Sequence, residues 1–331
     1  MSDPADPAAL VRAACAGDRR AVARLISVVE TGGPDAAAAA AALYPATGRA
    51  YTVGITGAPG AGKSTLTDAL VTRLRADDLE VGVLAVDPTS PFSGGAILGD
   101  RVRMQDHATD PGVFIRSMAT RGHLGGLALA TPQAIRVLDA AGKPWILVET
   151  VGVGQVEVEV AAATDTTVVV VNPGWGDAVQ ANKAGLMEIA DIFVVNKADR
   201  AGVDDTERDL RQMLELGGHR DWEPPLVRTV ATTGDGVSDL WDVVRAHRAF
   251  LESTGGLAAR RHARLREEVR AIALARLAAA VDARCREPGF DAVMARVDAR
   301  EVDPYAAAAL VMGADPPDPP SDSPAVPPSD P

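Results

Sequence analysis

Apolar residues in the middle of the chain fall into short unbroken blocks, and between the blocks they recur every three or four positions. The blocks Val53–Thr56, Val81–Asp87, Val113–Arg116, Trp145–Thr150, Thr167–Asn172, Ile192–Asn196 and Leu226–Thr229 are of strand length. The stretches between them, about 63–76, 122–141, 155–163, 178–190, 204–216 and 237–252, have helical spacing, and in the first Leu66, Leu70 and Leu74 share one face. Strands that are Val/Ile-rich throughout, rather than alternating, are covered on both faces. Their alternation with helices predicts an α/β fold with a mostly parallel sheet between two helical layers. In such a sheet ligands bind at the carboxyl ends of the strands. The polar residues at those ends are Asp87, Glu149, Asn172, Asn196 and Asp199.

The flanks read differently. Residues 8–43 are Ala-rich with helical spacing through Leu10, Val11, Ala14, Ala21, Val22, Leu25, Ile26 and Val29, broken at Gly32-Gly33-Pro34. They predict a small helical cap. After Gly255-Gly256, residues 257–284 read as a long charged helix with Leu265, Val269, Ile272, Leu277 and Val281 on a stripe. Pro288-Gly289 ends it, and Phe290–Ala299 and Pro304–Met312 read as two short helices. A stripe on an appended helix is covered either by its own domain or by another subunit. Residues 314–331 are mostly Pro, Asp and Ser, with almost nothing to bury, and are expected to be disordered. The resulting parts are a helical extension (1–49), an α/β domain (50–255), a helical arm (256–313) and a tail (314–331).

The sharpest local signal is Gly57-Ala58-Pro59-Gly60-Ala61-Gly62-Lys63-Ser64, followed by Thr65. It fits G-x-x-x-x-G-K-S between a strand and a helix, the phosphate-binding loop of P-loop proteins. Glycines let backbone N–H groups turn inward around an anion, and the helix N-terminus adds partial positive charge. Lys63 can reach the β- and γ-phosphates, and Ser64 can ligate Mg²⁺. Further on, Asn196-Lys197-Ala198-Asp199 follows a strand as N-K-x-D. A carboxylate at Asp199 accepts from guanine N1–H and N2–H₂, donors that adenine does not present in that arrangement. Lys197 would lie along the ring and Asn196 would hold the phosphate loop. Ala231, Thr232 and Thr233, after the next strand, stand where GTPases place a backbone N–H against guanine O6; alone, this segment reads equally well as a turn. Glu149-Thr150-Val151-Gly152 ends a wholly apolar strand in the place of D-x-x-G, where an acid can hold Mg²⁺ or cap the next helix. Asp87 and Asp100 bracket a loop rich in Gly, Pro and Ser, which suits ordering by a nucleotide; a helix cap is the competing reading for Asp100.

Charge and composition narrow the partners. The formal net charge is −12 and the isoelectric point about 4.9, which speaks against non-specific binding to nucleic acid or anionic lipid. The longest apolar runs are far short of a membrane span. The N-terminus carries no apolar signal region, and Cys15 and Cys285 stand far apart, so a reduced cytoplasmic setting without structural zinc is expected. None of the five histidines pairs with another His or Cys at metal-ligand spacing.

Together these motifs resemble the GTPase chaperones of adenosylcobalamin-dependent acyl-CoA mutases, the methylmalonyl-CoA mutase-associated, ArgK-like branch of P-loop GTPases. The matching phrases are the loop 57–65, Val86-Asp87-Pro88-Thr89-Ser90-Pro91, Gly94–Arg101, Arg121–Gly126, Glu149–Gln155 and Asn196–Asp199, and the likeness spans roughly residues 8–312. The resemblance implies GTP and GDP as ligands, with Ser64, Asp87, Asp100 and Glu149 around Mg²⁺. It implies a homodimer joined through the C-terminal helices and slow GTP hydrolysis that a mutase partner accelerates. Lys63, Glu149, Asp87 and Lys183 are then the catalytic candidates, with Gln155 a further one. The segment Gly174–Gly185 resembles a partner-responsive switch that keeps Asp177, Gln180 and Lys183 but departs at Ala178 and Asn182. The competing class is a nickel- or zinc-insertion GTPase, which would usually carry His-rich or Cys-containing segments; N-K-x-D speaks against an ATP-using kinase.

Overall fold

The computed structural model describes residues 7–88, 105–107, 109–120, 126–150, 160–174, 185, 187–216, 218 and 221–313. Strands β1 (Tyr51–Gly57), β2 (Val81–Pro88), β3 (Val113–Thr120), β4 (Trp145–Thr150), β5 (Thr166–Val171), β6 (Ile192–Asn196) and β7 (Leu226–Thr229) form one sheet in the order β3-β2-β4-β1-β5-β6-β7. Every pairing between them is parallel. The predicted parallel α/β sheet is therefore correct. Three strands begin and end where the apolar blocks do, while β1 starts two residues earlier and β3 runs four residues further.

The helices are α1 (Pro7–Cys15), α2 (Arg19–Thr31), α3 (Gly33–Leu43), α4 (Lys63–Ala76), α5 (Gly126–Ala140), α6 (Val203–Leu216), α7 (Val237–Thr254), α8 (Gly256–Arg284), α9 (Pro288–Asp298) and α10 (Pro304–Met312). Alternate residues of the same strand feed different cores, as the two-residue period of a strand requires. Val53, Ile55, Val83, Leu147, Val170 and Val194 pack with Leu66, Leu70 and Leu74 of α4 and with Trp241 of α7. On the other face Leu84, Val86, Ile146 and Val148 meet Leu138 of α5 and Leu25 and Ile26 of α2. Val169, Val171, Phe193 and Val195 meet Leu210 of α6. The N-terminal helices thus contribute side chains to the core of the α/β domain.

The chain divides into two compact units, residues 1–269 and 270–331. In the first, the start of α8 is gripped by charge at the amino ends of the strands. Arg260 makes a bidentate pair with Asp191, which directly precedes β6. Arg261 and Arg264 share Asp165, which directly precedes β5 and is 1% exposed. Glu268 takes both guanidinium nitrogens of Arg136 and the amide of Gln133 on α5. In the second unit, Asp303 caps α10 by accepting from Tyr305 N and Ala306 N, and Arg284 donates to the Val311 carbonyl.

Beside this clamp lies a buried protic chain. Tyr51 Oη and Thr166 Oγ1 are 2.6 Å apart, Thr166 Oγ1 is 2.8 Å from His247 Nδ1, and His247 Nε2 is 3.4 Å from Asp191 Oδ1. Burial pushes the Tyr51 phenol up to about 12 and the His247 imidazole down to about 4. The sign follows by linkage. As pH falls below about 6.5 the unfolded chain takes up a proton at His247, while the folded chain cannot until about pH 4. Stability is full above that window and is lost through it, by about 3 kcal/mol for this one group. Asp165, held below the ordinary carboxylate range by Arg261 and Arg264 against the opposing effect of its burial, extends the loss to lower pH. Thermal melts between pH 7 and 4 should show a falling midpoint whose slope over 6.5–4 is shallower in His247→Gln. Equal slopes would refute the assignment.

Candidate nucleotide site

β1 is buried at every residue and delivers the chain to the carboxyl edge of the sheet at Gly57. There φ is 130°, and a Cβ would stand 2.0 Å from the Val170 carbonyl oxygen, so only glycine lets β1 lie this close to β5 while turning into the loop. Gly62, at φ 92°, is the left-handed residue from which α4 starts, and a Cβ there would meet Asn196 Nδ2 at 2.5 Å. Ala61 is fully buried, while Pro59 and Gly60 are exposed. The sequence places strand, loop and helix as the phosphate-loop pattern requires.

Lys63 and Ser64 open α4 and are 6% and 8% exposed. Lys63 Nζ donates to the carbonyls of Gly57 at 2.8 Å and Ala58 at 3.0 Å, so its charge is held within the loop. Ser64 Oγ donates to Glu149 Oε1 at 2.5 Å. Glu149, 2% exposed, sits in β4 level with Ile55 of β1 and Ala85 of β2. A helix-first-turn hydroxyl and a strand-end carboxylate, 85 residues apart in sequence, therefore meet beside the loop.

The second half of the site is built on Asn196, 2% exposed at the end of β6. Its Nδ2 donates to Ala61 O at 2.8 Å, and its Oδ1 accepts from Thr229 Oγ1 and Ala231 N, each at 3.1 Å. One side chain thus ties the phosphate loop to the segment after β7. Lys197 has φ 60°, and its Nζ donates to Gly60 O at 2.6 Å. The turn is fixed by Ala198 N to Thr229 O and Arg200 N to Lys197 O, each 3.0 Å. Asp199 is exposed, and no hydrogen bond or ion pair engages its carboxylate among the described residues. In the segment 231–233, Ala231 N is taken by Asn196 and Thr233 N by the Val230 carbonyl, leaving the Thr232 N–H without an acceptor among the described residues.

Asp87 lies on β2 beside Ala119 of β3, with its backbone one residue beyond the Val86–Thr150 pair, but its side chain is not described. Asp100, Gln155, Lys183, the phrase Arg121–Gly125 and most of Gly174–Gly185 lie outside the described residues. Sequence reasoning missed the grip of Asp165 and Asp191 on α8; its traces were an aspartate directly before two Val-rich strands and Arg260-Arg261-x-x-Arg264 at helical spacing. Among the described residues no helix is long and apolar enough to cross a membrane, and no group of three or more His, Cys, Asp and Glu residues could hold a metal ion.

The comparisons agree with this geometry. The family model for the methylmalonyl-CoA mutase-associated GTPase MeaB matches residues 22–286. A putative GTPase of Pyrococcus abyssi is 54% identical over 300 residues, covering 89% of this chain and 93% of its own. The GTPase ArgK of Escherichia coli is 37% identical over 268 residues, covering 78% of this chain and 80% of its own. The crystal structure of a LAO/AO transport system kinase superposes with a TM-score of 0.70 at 25% identity, covering 95% of this chain and 98% of that one. A P-loop fold, a guanine-type N-K-x-D element and relatives named as GTPases converge on one conclusion: this chain binds and hydrolyses guanine nucleotide, and it belongs to the family of methylmalonyl-CoA mutase-associated GTPases.

Proposed function

We propose that this GTPase is a chaperone for an adenosylcobalamin-dependent acyl-CoA mutase of the methylmalonyl-CoA mutase type, gating loading of the cofactor and protecting the mutase. The observation that carries the reading is the family match over 22–286, whose description names that mutase. The loop 57–65 wraps the phosphates, and Lys63 supplies positive charge to the transferring phosphoryl group. Asp199 reads guanine, Lys197 lies along the base, Asn196 keeps the phosphate loop and base segment in register, and a backbone N–H from Ala231–Thr233 meets O6.

The donor set suits Mg²⁺. Ser64 and Glu149 offer hard oxygen ligands that touch at 2.5 Å, and Mg²⁺ is commonly held by one or two carboxylates together with substrate phosphates. Asp87 and Asp100 complete the proposed set. When bound, the ion would supply neutralisation of the charge that develops on the transferring phosphoryl group. Glu149 fixes the Ser64 hydroxyl at the base of the loop, and Lys63 holds its ammonium against the loop carbonyls. Lys183 is proposed to aid hydrolysis once a partner orders its segment.

A homodimer built on the C-terminal helices is part of this reading. Val269 and Leu277 of the predicted stripe are 66% and 56% exposed, and Tyr305 of α10 is 85% exposed. Large apolar side chains left open on α8 and α10 are surface that a second copy would cover.

The test is GTP turnover with and without an adenosylcobalamin-dependent methylmalonyl-CoA mutase. The mutase should raise the rate, and nucleotide state should alter cofactor binding to the mutase, because coupling between binding equilibria is reciprocal. Unchanged turnover and unchanged nucleotide affinity with every such mutase would reject the role and favour metal insertion.

A further inference from the structure

The last backbone-paired residues of β1 and β4 are Ile55 and Glu149. One residue on, the strands part: Thr56 continues into Gly57 and the phosphate loop, and Thr150 ends β4. Where the ladder stops, a side-chain bond replaces it, with Thr150 Oγ1 donating to Thr56 Oγ1 at 3.1 Å. Both threonines are 0% exposed. Their strand neighbours are Val86, opposite Thr150, and Val169, opposite Thr56. Valine would fill the same space in either position without a polar atom to satisfy, and a hydroxyl buried among valines is tolerable only when bonded.

The two-residue period of a strand turns Thr150 to the face opposite Glu149, and Thr56 to the face opposite Ile55. The hydroxyl pair therefore sits behind the Ser64–Glu149 contact and fixes the separation of its two supports. The next described stretch, from residue 160, begins against the same strand: a Cβ on Gly54 would be 3.2 Å from Val160 Cγ1 and 2.6 Å from Thr164 Oγ1. The chain that leaves β4 at Thr150 and the chain that resumes at Val160 both abut β1, two residues apart.

We propose that Thr56 and Thr150 form a positioning pair for GTP hydrolysis, setting the distance between the phosphate loop and Glu149 across the point where β1 and β4 diverge. The proposal rests on the reading of Glu149 as a Mg²⁺-holding carboxylate. Neither threonine touches the reacting atoms; each acts through the backbone of its neighbour, Gly57 or Glu149.

The experiment measures GTP turnover, the Mg²⁺ concentration for half-maximal rate, GDP affinity in EDTA and the melting midpoint. It compares Thr150→Val, Thr150→Ser, Thr56→Val, Thr56→Val/Thr150→Val and Glu149→Gln. Thr150→Val should lower kcat about 10-fold and raise the Mg²⁺ requirement, because a small misplacement of a rate-determining group is enough for that loss. GDP affinity in EDTA should stay within about twofold, since the loop amides and base segment are untouched. Thr150→Ser, which keeps the hydroxyl, should restore the rate. The double valine variant leaves no hydroxyl unpaired and should melt near the wild type yet turn over as slowly as the single variants, which separates positioning from stability. Wild-type turnover in the double variant, or a loss in Thr150→Val that Thr150→Ser does not recover, would overturn the pairing. Glu149→Gln distinguishes the underlying reading: an unchanged Mg²⁺ requirement there rejects the metal role of Glu149, whereas a shift there with none in the valine variants rejects only the positioning pair.

Discussion

Lys63→Ala should reduce GTP turnover by about 10²- to 10³-fold, the scale expected for removing one preorganised charge-stabilising donor. Lys63 is 6% exposed and its ammonium is anchored on the Gly57 and Ala58 carbonyls, so it is held in place before any phosphate arrives. Little reorganisation is then required at the moment of transfer, and methyl cannot substitute. Lys63→Arg should fail as well, because the planar guanidinium is larger than the space between two carbonyls 2.8 and 3.0 Å from Nζ. Single-turnover kinetics at saturating GTP is the measurement, with circular dichroism as the check on folding. A variant that folds and turns over within about threefold of wild type would contradict the role.

Asp199→Asn should weaken GDP binding by about 10²-fold or more while leaving the fold intact. The N-K-x-D element divides its labour: Asn196 is consumed by three internal hydrogen bonds, while the Asp199 carboxylate is exposed and engaged by nothing among the described residues. The exchange costs no internal contact. It replaces an acceptor facing guanine N1–H and N2–H₂ with an amide that sets a donor against a donor. Xanthosine diphosphate, whose C2 oxygen accepts where guanine donates, should gain on GDP in the variant. Calorimetry with GDP, ADP and xanthosine diphosphate reads both effects, and an unchanged order of affinities would sink the guanine assignment to this residue.

The sheet was readable because its strands are apolar blocks with sharp starts: Pro144 precedes Trp145–Thr150, Asp191 and Lys197 flank Ile192–Asn196, and Pro225 precedes Leu226–Thr229. β3 was read short because Arg116 and Ser117 interrupt its pattern. Arg116 is tolerated there because Ser27 and Glu30 of α2 meet its guanidinium, a tertiary arrangement that spacing cannot reveal. α5 runs through Pro132, which its periodicity survives. At the site, the loop and N-K-x-D were legible because each is contiguous. The Thr56–Thr150 bond was not, since it joins residues of two segments that only the β1–β4 register brings level, and the meeting of Ser64 with Glu149 was expected only through the family resemblance.

Gly255, where the chain turns with φ 74° between α7 and α8, looks from sequence like the natural end of the catalytic module. The clamp moves that boundary. A chain cut there would leave Asp165 and Asp191, 1% and 7% exposed, without the arginines that neutralise them, and Arg136 without Glu268. Stranded buried charge of this kind destabilises far more than a lost surface pair. The stretch of α8 from Gly256 to Glu268 is in this sense inherited by the nucleotide-binding half of the protein. A self-sufficient GTPase fragment has to carry them and can give up residues only beyond 269.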